Sequence, residues 1–351
     1  MTAFFRKLSA VRWARKRAPD TPRYYAALAH ERFQPGDLLR QAVEAEQAGF
    51  DGICGSDHLA PWWEPGDPAP ASSGNVWVWL GAVGQATQRA AIGTGVTSLL
   101  YRYNPVVVAQ QVATLEAMFP GRAFLGVGSG EAMNEVPAGM YWPDSAEQLA
   151  RTEEALTIVS RLLDGETVDF GGEFFRARRA RLYVRPPRRP PVYMSAFHEQ
   201  AAEVAGRLAD GVWTLGEPTK APAVIEAYRR GCRDAGREPG EIIIQGQFSW
   251  APTDEAAAAT AREWKGTLVD EHYTDDVYEP AEVYARGERE VSDSEFKSKA
   301  ILSSDPGAHA KRIKTLQGLG ATIVVLMNIS GADAHAALRT YGDQVLPELR
   351  G

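Results

Sequence analysis

Short apolar runs recur along the chain, separated by stretches whose apolar positions repeat every three or four residues. The first habit belongs to strands buried on both faces, the second to amphipathic helices. Runs at 24–30, 51–56, 91–98, 123–128, 192–196, 211–215, 242–249 and 322–328 give eight predicted strands. Helical repeats over 37–48, 105–118 and 148–163 fall between them, the first introduced by Pro35-Gly36. This α/β alternation predicts a closed (β/α)8 TIM barrel rather than an open doubly wound sheet.

Two stretches break the repeat. Residues 168–183, with Gly171-Gly172 near their start, read as a β-hairpin. Residues 252–320 are too long for one βα unit and read as an insertion beside the barrel mouth. Within them a helix is predicted over 255–265, then polar segments, then a final helix over 306–319. The expected organisation is one barrel domain over 23–351, preceded by a basic extension over 1–22. That extension carries Arg6, Lys7, Arg12, Arg15, Lys16 and Arg17 but lacks an apolar core and a small-residue cleavage site, so it does not read as a secretory signal. A helix over 4–15 is expected there. Its plain reading is a solvated tail, and its functional alternative is contact with a partner or an anionic surface.

Composition narrows the function classes. With 44% hydrophobic and 24% charged residues, the 351-residue chain is an ordinary globular protein. Its 38 basic and 45 acidic residues leave a net charge of −7, so the overall basic footprint of a nucleic-acid binder is missing. No apolar run has the roughly 18 residues of a membrane span, and no membrane partner is expected. The two cysteines, Cys54 and Cys232, have no CxxC or Cys/His neighbour. They point to a reducing, cytoplasmic setting and to no cysteine-held metal, and no metal site is expected.

In a TIM barrel the active site lies where the strands end. The first predicted strand ends in His30-Glu31, and the second in Ser56-Asp57-His58, followed by Trp62-Trp63. The fourth ends in Gly126-Val127-Gly128-Ser129-Gly130-Glu131 and continues to Met133-Asn134-Glu135. A histidine beside carboxylates at such a mouth can exchange a proton near neutral pH, while Asp57 can hold a ring nitrogen or a cofactor's polar edge. The glycines before Glu131 let backbone N–H groups approach an anion or a planar ring. This string is not the dinucleotide fingerprint, because no first βα unit or following acidic strand accompanies it. For His58 alone, a hydrogen-bonded structural histidine is the competing reading. Trp63, Trp77 and Trp79 read as wall or interface aromatics, and Phe33 and Met133 as packing.

Taken together these strings resemble the luciferase-like superfamily, and within it the branch that uses coenzyme F-420 (F420, an 8-hydroxy-5-deazaflavin). The landmarks are AHERFQP (29–35), SDHLAPW (56–62), GTGVTSLLYRYNP (93–105), FPGRAFLGVGSGEAMNE (119–135), PVYMSA (191–196) and AGRLADGVW (205–213). The resemblance runs from about Arg23 to the C-terminus. It implies that His58 handles the substrate hydroxyl proton, that Glu131 exchanges a proton with the ring or the substrate, that Trp62 packs over the reacting centre and that Glu31 supports them. By the same resemblance Asp57, Ser98, Ser129, Gly130 and Asn134 match cofactor-contact positions. Gly95-Val96 matches a strand-three bulge where the family uses a non-proline cis bond behind the deazaflavin ring. A homodimer built through barrel helices is implied as well.

The chain departs from the family pattern in two places. After the fifth strand the glycine-rich turn that grips the cofactor phosphate is replaced by Ala196-Phe197-His198. Backbone amides at a helix start can bind an anion without glycine. The second departure concerns the cations with which sugar-phosphate dehydrogenases of this branch hold their substrate. After Leu215 the matching position is Pro218, and the insertion offers Glu271-His272 and Lys299 instead. Acids such as Glu217 and Glu271 oppose a dianion, whereas Lys265 and Lys299, expected with Leu215 on the substrate side, keep another anionic or polar small molecule open. The expected activity is F420-dependent hydride transfer to or from a hydroxyl-bearing carbon of a secondary alcohol, sugar or hemiacetal. A sugar-6-phosphate dehydrogenase, an FMN-dependent monooxygenase and a non-catalytic deazaflavin-binding protein are the alternatives.

Overall fold

The computed structural model describes residues 22–66 and 68–351, and in it the predicted strands close on themselves. They are β1 (Arg23–Leu28), β2 (Gly52–Gly55), β3 (Ala91–Thr94), β4 (Ala123–Gly128), β5 (Val192–Ser195), β6 (Gly211–Leu215), β7 (Glu241–Ser249) and β8 (Ile323–Asn328). Each pairs in parallel with the next, and β8 returns to β1 with Tyr24 opposite Val324.

Alternation along each strand divides the core into two layers. Tyr24, Ala26 and Leu28 face the helices with Ile53, Leu125 and Val324, while Tyr25 and Ala27 fill the barrel with Phe124, Tyr193 and Trp213. A period of two with both sets apolar is why these strands read as continuous runs.

Around the barrel stand α1 (Pro35–Ala48), α2 (Val76–Ala86), α3 (Pro105–Met118), α4 (Ser145–Leu163), α5 (Glu199–Leu208), α6 (Ala221–Asp234), α7 (Pro306–Gly318) and α8 (Ala334–Thr340). Their starts follow local chemistry. Asn75, Asn104, Asp144 and Asp305 each accept a backbone N–H from the first turn, and Pro35, Pro105 and Pro306 stand at first helical positions. Helix α2 has no counterpart among the predicted elements, because VWVWLGAVGQA is apolar on nearly every face and lacks a helical period.

Three local differences bear on the site. The predicted third strand stops at Thr94 and resumes at Thr97–Ser98 against the end of β4, and the intervening Gly95-Val96 peptide is cis. The helix expected over 255–265 is α-helical only over Asp254–Thr260 and tightens into 3-10 turns over Arg262–Leu268. There the backbone of Gly266 packs against Gly287, where an added Cβ would lie 2.5 Å from the Gly266 nitrogen. The last helix of the expected insertion, α7, packs on β7 and β8 as a regular barrel helix, so the added segment ends before it.

The hairpin forms from Val168–Gly171 and Arg176–Ala180. Glu154 of α4 holds its turn by accepting the backbone N–H groups of Glu173, Phe174 and Phe175. The helix expected over 4–15 lies outside the described residues.

Candidate active site

Because all eight strands are parallel, their C-terminal ends meet at one mouth, and a cavity of about 340 Å³ opens there. That falls within the range of small-molecule sites. At one end of it His58, from the β2 end, stands between two carboxylates. Its Nδ1 lies 3.6 Å from Glu31 Oε1 and its Nε2 lies 3.8 Å from Glu131 Oε2. These separations exceed a direct hydrogen bond, and no described residue hydrogen-bonds to Nε2. The nitrogen that faces Glu131 is therefore open to a substrate hydroxyl.

The two acids are fixed differently. Glu31 is buried and accepts the Ser56 hydroxyl at 2.8 Å. Glu131 lines the cavity and accepts one N–H of Asn134 at 2.9 Å. The Asn134 carbonyl oxygen in turn accepts the backbone N–H groups of Leu59 and Ala60, at 2.7 and 3.2 Å. Asn134 thus ties the loop that carries His58 to the loop that carries Glu131, although 75 residues separate Leu59 from Asn134.

Behind His58 lies a second polar layer. Asp57 accepts hydrogen bonds from the Thr97 hydroxyl at 2.8 Å and the Tyr103 hydroxyl at 3.1 Å. Burial, and then the nearby Asp57 charge, push the Tyr103 hydroxyl up to about 12, so it stays a donor. Arg102 donates to the Asp57 carbonyl and to Glu135, whose other oxygen accepts the Arg102 backbone N–H. Each buried charge here has an opposite partner, which a closed polar site requires.

His30 contrasts with His58. It is fully buried, its Nδ1 lies 3.2 Å from the Gly74 carbonyl, and its ring meets Trp79 edge-on at 4.6 Å. Burial pushes its pKa down, so it is a neutral packing histidine.

The cavity wall joins glycine-rich backbone to aromatic rings. Gly95, Val96, Ser98 and Gly130 line it. At Gly130 φ is 71°, and a Cβ would fall 2.6 Å from Ser98 Oγ, so a side chain there is doubly excluded. Trp62 is buried with its ring 5.4 Å from that of His58 and 6.3 Å from that of Tyr273, and Phe197 meets Tyr273 edge-on.

Of the other expected contact residues, Leu215 and Lys299 line the cavity. Ser129, Ala196 and His198 do not, although His198 directly precedes α5 as its N-cap. Lys265 stands apart as well: buried, it is held by Asp293 at 2.6 Å and Glu288 at 3.5 Å in a separate small pocket.

Several lining residues escaped the sequence reading. Gln245 and Gln247 of β7 point inward, accepting the Trp213 indole N–H and donating to the Thr267 hydroxyl, both at 2.9 Å. Their signal was two polar residues at a period of two inside an apolar strand. Tyr273 comes from the insertion, and Arg312 reaches in from α7 to donate to the Ser298 carbonyl. Nothing in their local sequence marks them.

The fold and its mouth define a single-barrel enzyme scaffold with an acid–base end and a glycine-lined wall. The profile of the luciferase-like monooxygenase family matches residues 14–322, and the chain belongs to that family. It is similar to an F420-dependent glucose-6-phosphate dehydrogenase of Nakamurella multipartita, 38% identical across 95% of this chain and 98% of that one. A protein of the same description from Microbacterium testaceum is 37% identical over 91% and 95%. Among solved structures, an F420-dependent secondary alcohol dehydrogenase in complex with an F420–acetone adduct is 32% identical, with a TM-score of 0.89 over 94% of this chain and 100% of that one. The F420-dependent tetrahydromethanopterin reductase of Methanopyrus kandleri, 19% identical with a TM-score of 0.76 over 94% and 99%, shares the fold.

Proposed function

We propose that this chain is an F420-dependent oxidoreductase that moves a hydride reversibly between a hydroxyl-bearing carbon and the deazaflavin. The observation that carries the reading is His58, held between Glu31 and Glu131 in the same cavity as the Gly95, Val96 and Gly130 wall. The residues suit a flat heteroaromatic ring: the Gly95, Val96 and Gly130 wall brings backbone rather than bulky side chains to the cavity. Asp57, Ser98, Gly130 and the Phe197 turn would hold the cofactor, with Ser129, Asn134, Ala196 and His198 supporting them. Oxidised F420, when bound, would supply a hydride acceptor at ring C5.

The protein's own part is proton handling and exclusion of water. As the substrate carbon gives up its hydride, its hydroxyl must lose a proton, and Nε2 of His58 is the open acceptor on that side. Glu131 stands within one bridging group of the same nitrogen, while Ser56 keeps Glu31 in place on the other. Trp62 and Tyr273 cover this end and shield it from bulk solvent. Run in reverse, the same groups return the proton to a carbonyl being reduced.

Leu215 and Lys299 belong to the substrate side of the cavity. Arg312, and Lys299 although it is shared with Glu295 at 3.3 Å, favour a substrate with negative charge, which makes a sugar-phosphate dehydrogenase the second reading. Glu217, also on the wall, opposes it. The cell compartment in this reading is the cytoplasm, in keeping with the two free, buried cysteines. The working unit is a homodimer, and the exposed Val78, Val107 and Met118 on α2 and α3 suit such an interface. A gel-filtration mass of one chain would contradict the dimer.

The test is a panel of secondary alcohols, aldoses and glucose 6-phosphate, followed by loss of the oxidised deazaflavin absorbance. Turnover on an uncharged alcohol or aldose supports the first reading, and turnover on glucose 6-phosphate alone supports the second. Binding of F420 without turnover on any member would leave a non-catalytic deazaflavin-binding protein.

A further inference from the structure

We propose that the end of the barrel opposite the active site docks peripherally on an anionic lipid surface, through the arginine-rich outer face of the hairpin. The inference is independent of the proposed activity and starts from charge placement. Two stretches, 1–19 and 174–189, hold 13 of the 38 basic residues and none of the 45 acidic ones. The chain is otherwise acidic, so its positive charge is concentrated rather than spread.

Topology brings the second of these stretches to one end. It leads into β5, and parallel strands all begin at the end away from the cavity. In the hairpin the arginines point outward. Ala177, Ala180 and Leu182 pack inward on the core, leaving Arg176, Arg178, Arg179, Arg181 and Arg185 exposed. Among the described residues none of these five forms an ion pair.

The neighbouring acids are already engaged. Arg188 holds Glu116, Arg189 holds Asp164 and Asp210, and Asp169 accepts the backbone N–H of Arg179. Glu173, at the turn, is the remaining hairpin acid. Beside the arginines Tyr183 is 80% exposed, with the Arg181 guanidinium 4.6 Å over its ring, and Val184 is exposed too.

Basic side chains mixed with exposed aromatic and apolar ones suit the headgroup boundary of an anionic bilayer. The sequence of the first stretch has the same mixture, with Phe4, Phe5, Leu8 and Trp13 among its cations. A flat surface meets only this basic end, whereas a long nucleic acid would also run along the acidic flanks. No helix among the described residues is long and apolar enough to cross a membrane, so the contact is peripheral. Docked this way, the cavity mouth faces the solvent.

The test is co-sedimentation of the full chain with vesicles of phosphatidylcholine alone and of phosphatidylcholine mixed with phosphatidylglycerol. The expected result is at least about tenfold more binding to the anionic vesicles, lost at high salt. The combined Arg178→Glu, Arg181→Glu and Arg185→Glu variant should abolish most of it while keeping the melting temperature and F420 affinity. If that variant does not fold, the corresponding Gln set gives the same readout with a smaller loss. Equal binding to both vesicles, or to neither, overturns the proposal. So does undiminished binding by the hairpin variants, which would transfer the contact to residues 1–22, or stripping of the chain from vesicles by duplex DNA at equal charge.

Discussion

At the scale of single residues the proposed chemistry rests on His58. Replacing it with alanine removes the proton acceptor but leaves the glycine wall and the Asp57 network intact. His58→Ala should therefore keep F420 affinity within a few-fold and lower kcat by about 10²–10⁴. Steady-state turnover alongside a cofactor titration separates the two effects, and undiminished turnover removes His58 from the chemistry. Glu131→Gln keeps the shape of the side chain and its link to Asn134 while deleting the charge. It is expected to slow kcat by about tenfold or more, and an unchanged rate would remove Glu131 from the proton path. The residues near these two were legible because they sit in short strings at strand ends. His30 and His58 looked alike in sequence; only burial against Trp79 marks the first as structural. Lys265 and Lys299 looked alike too, and only the fold shows that one is spent on Asp293 in a separate pocket while the other, paired with Glu295, lines the cavity.

At the scale of elements the barrel was readable wherever burial produced a clean period. Helix α3, strand β4 and strand β6 have the boundaries the pattern gave, while α2 was hidden by its uniform apolarity. The joints between elements depend on contacts that no pattern reveals. Glu46 of α1 accepts the backbone N–H groups of Gln88, Arg89 and Ala90, fixing the entry to β3. Burial alone would raise its pKa, but those three donors prevail and hold it below the usual 4.5. A carboxylate with a lowered folded pKa stabilises the protein above its unfolded pKa and loses that contribution as pH falls through the folded one. Glu46→Gln should cost about 1–3 kcal/mol near neutral pH, and the gap from the unaltered protein should narrow below pH 4.5. Thermal melts of both proteins across that range check the sign; a gap that widens on acidification would contradict it. Gly126 tests the packing of β3 on β4. A Cβ there would fall 2.3 Å from the Thr94 carbonyl, so Gly126→Ala should lower stability by about 1–3 kcal/mol in denaturant titrations.

At the scale of the whole molecule one parallel barrel carries a polar mouth at one end and a basic face at the other. The family could be read from the sequence because its landmarks fall at the strand ends, where the fold gathers distant residues into one cavity. The far wall was not readable in the same way, since Tyr273 and Arg312 arrive from elements that only tertiary packing brings inward. A deazaflavin is the ligand that this mouth should select. Parallel binding titrations of the purified protein with oxidised F420 and with FMN test it most directly. Saturable binding of F420, at least about a hundredfold tighter than FMN and worth some 2.7 kcal/mol, is the expected result. Selective binding of FMN would contradict it and point to oxygen-using monooxygenase chemistry on the same scaffold.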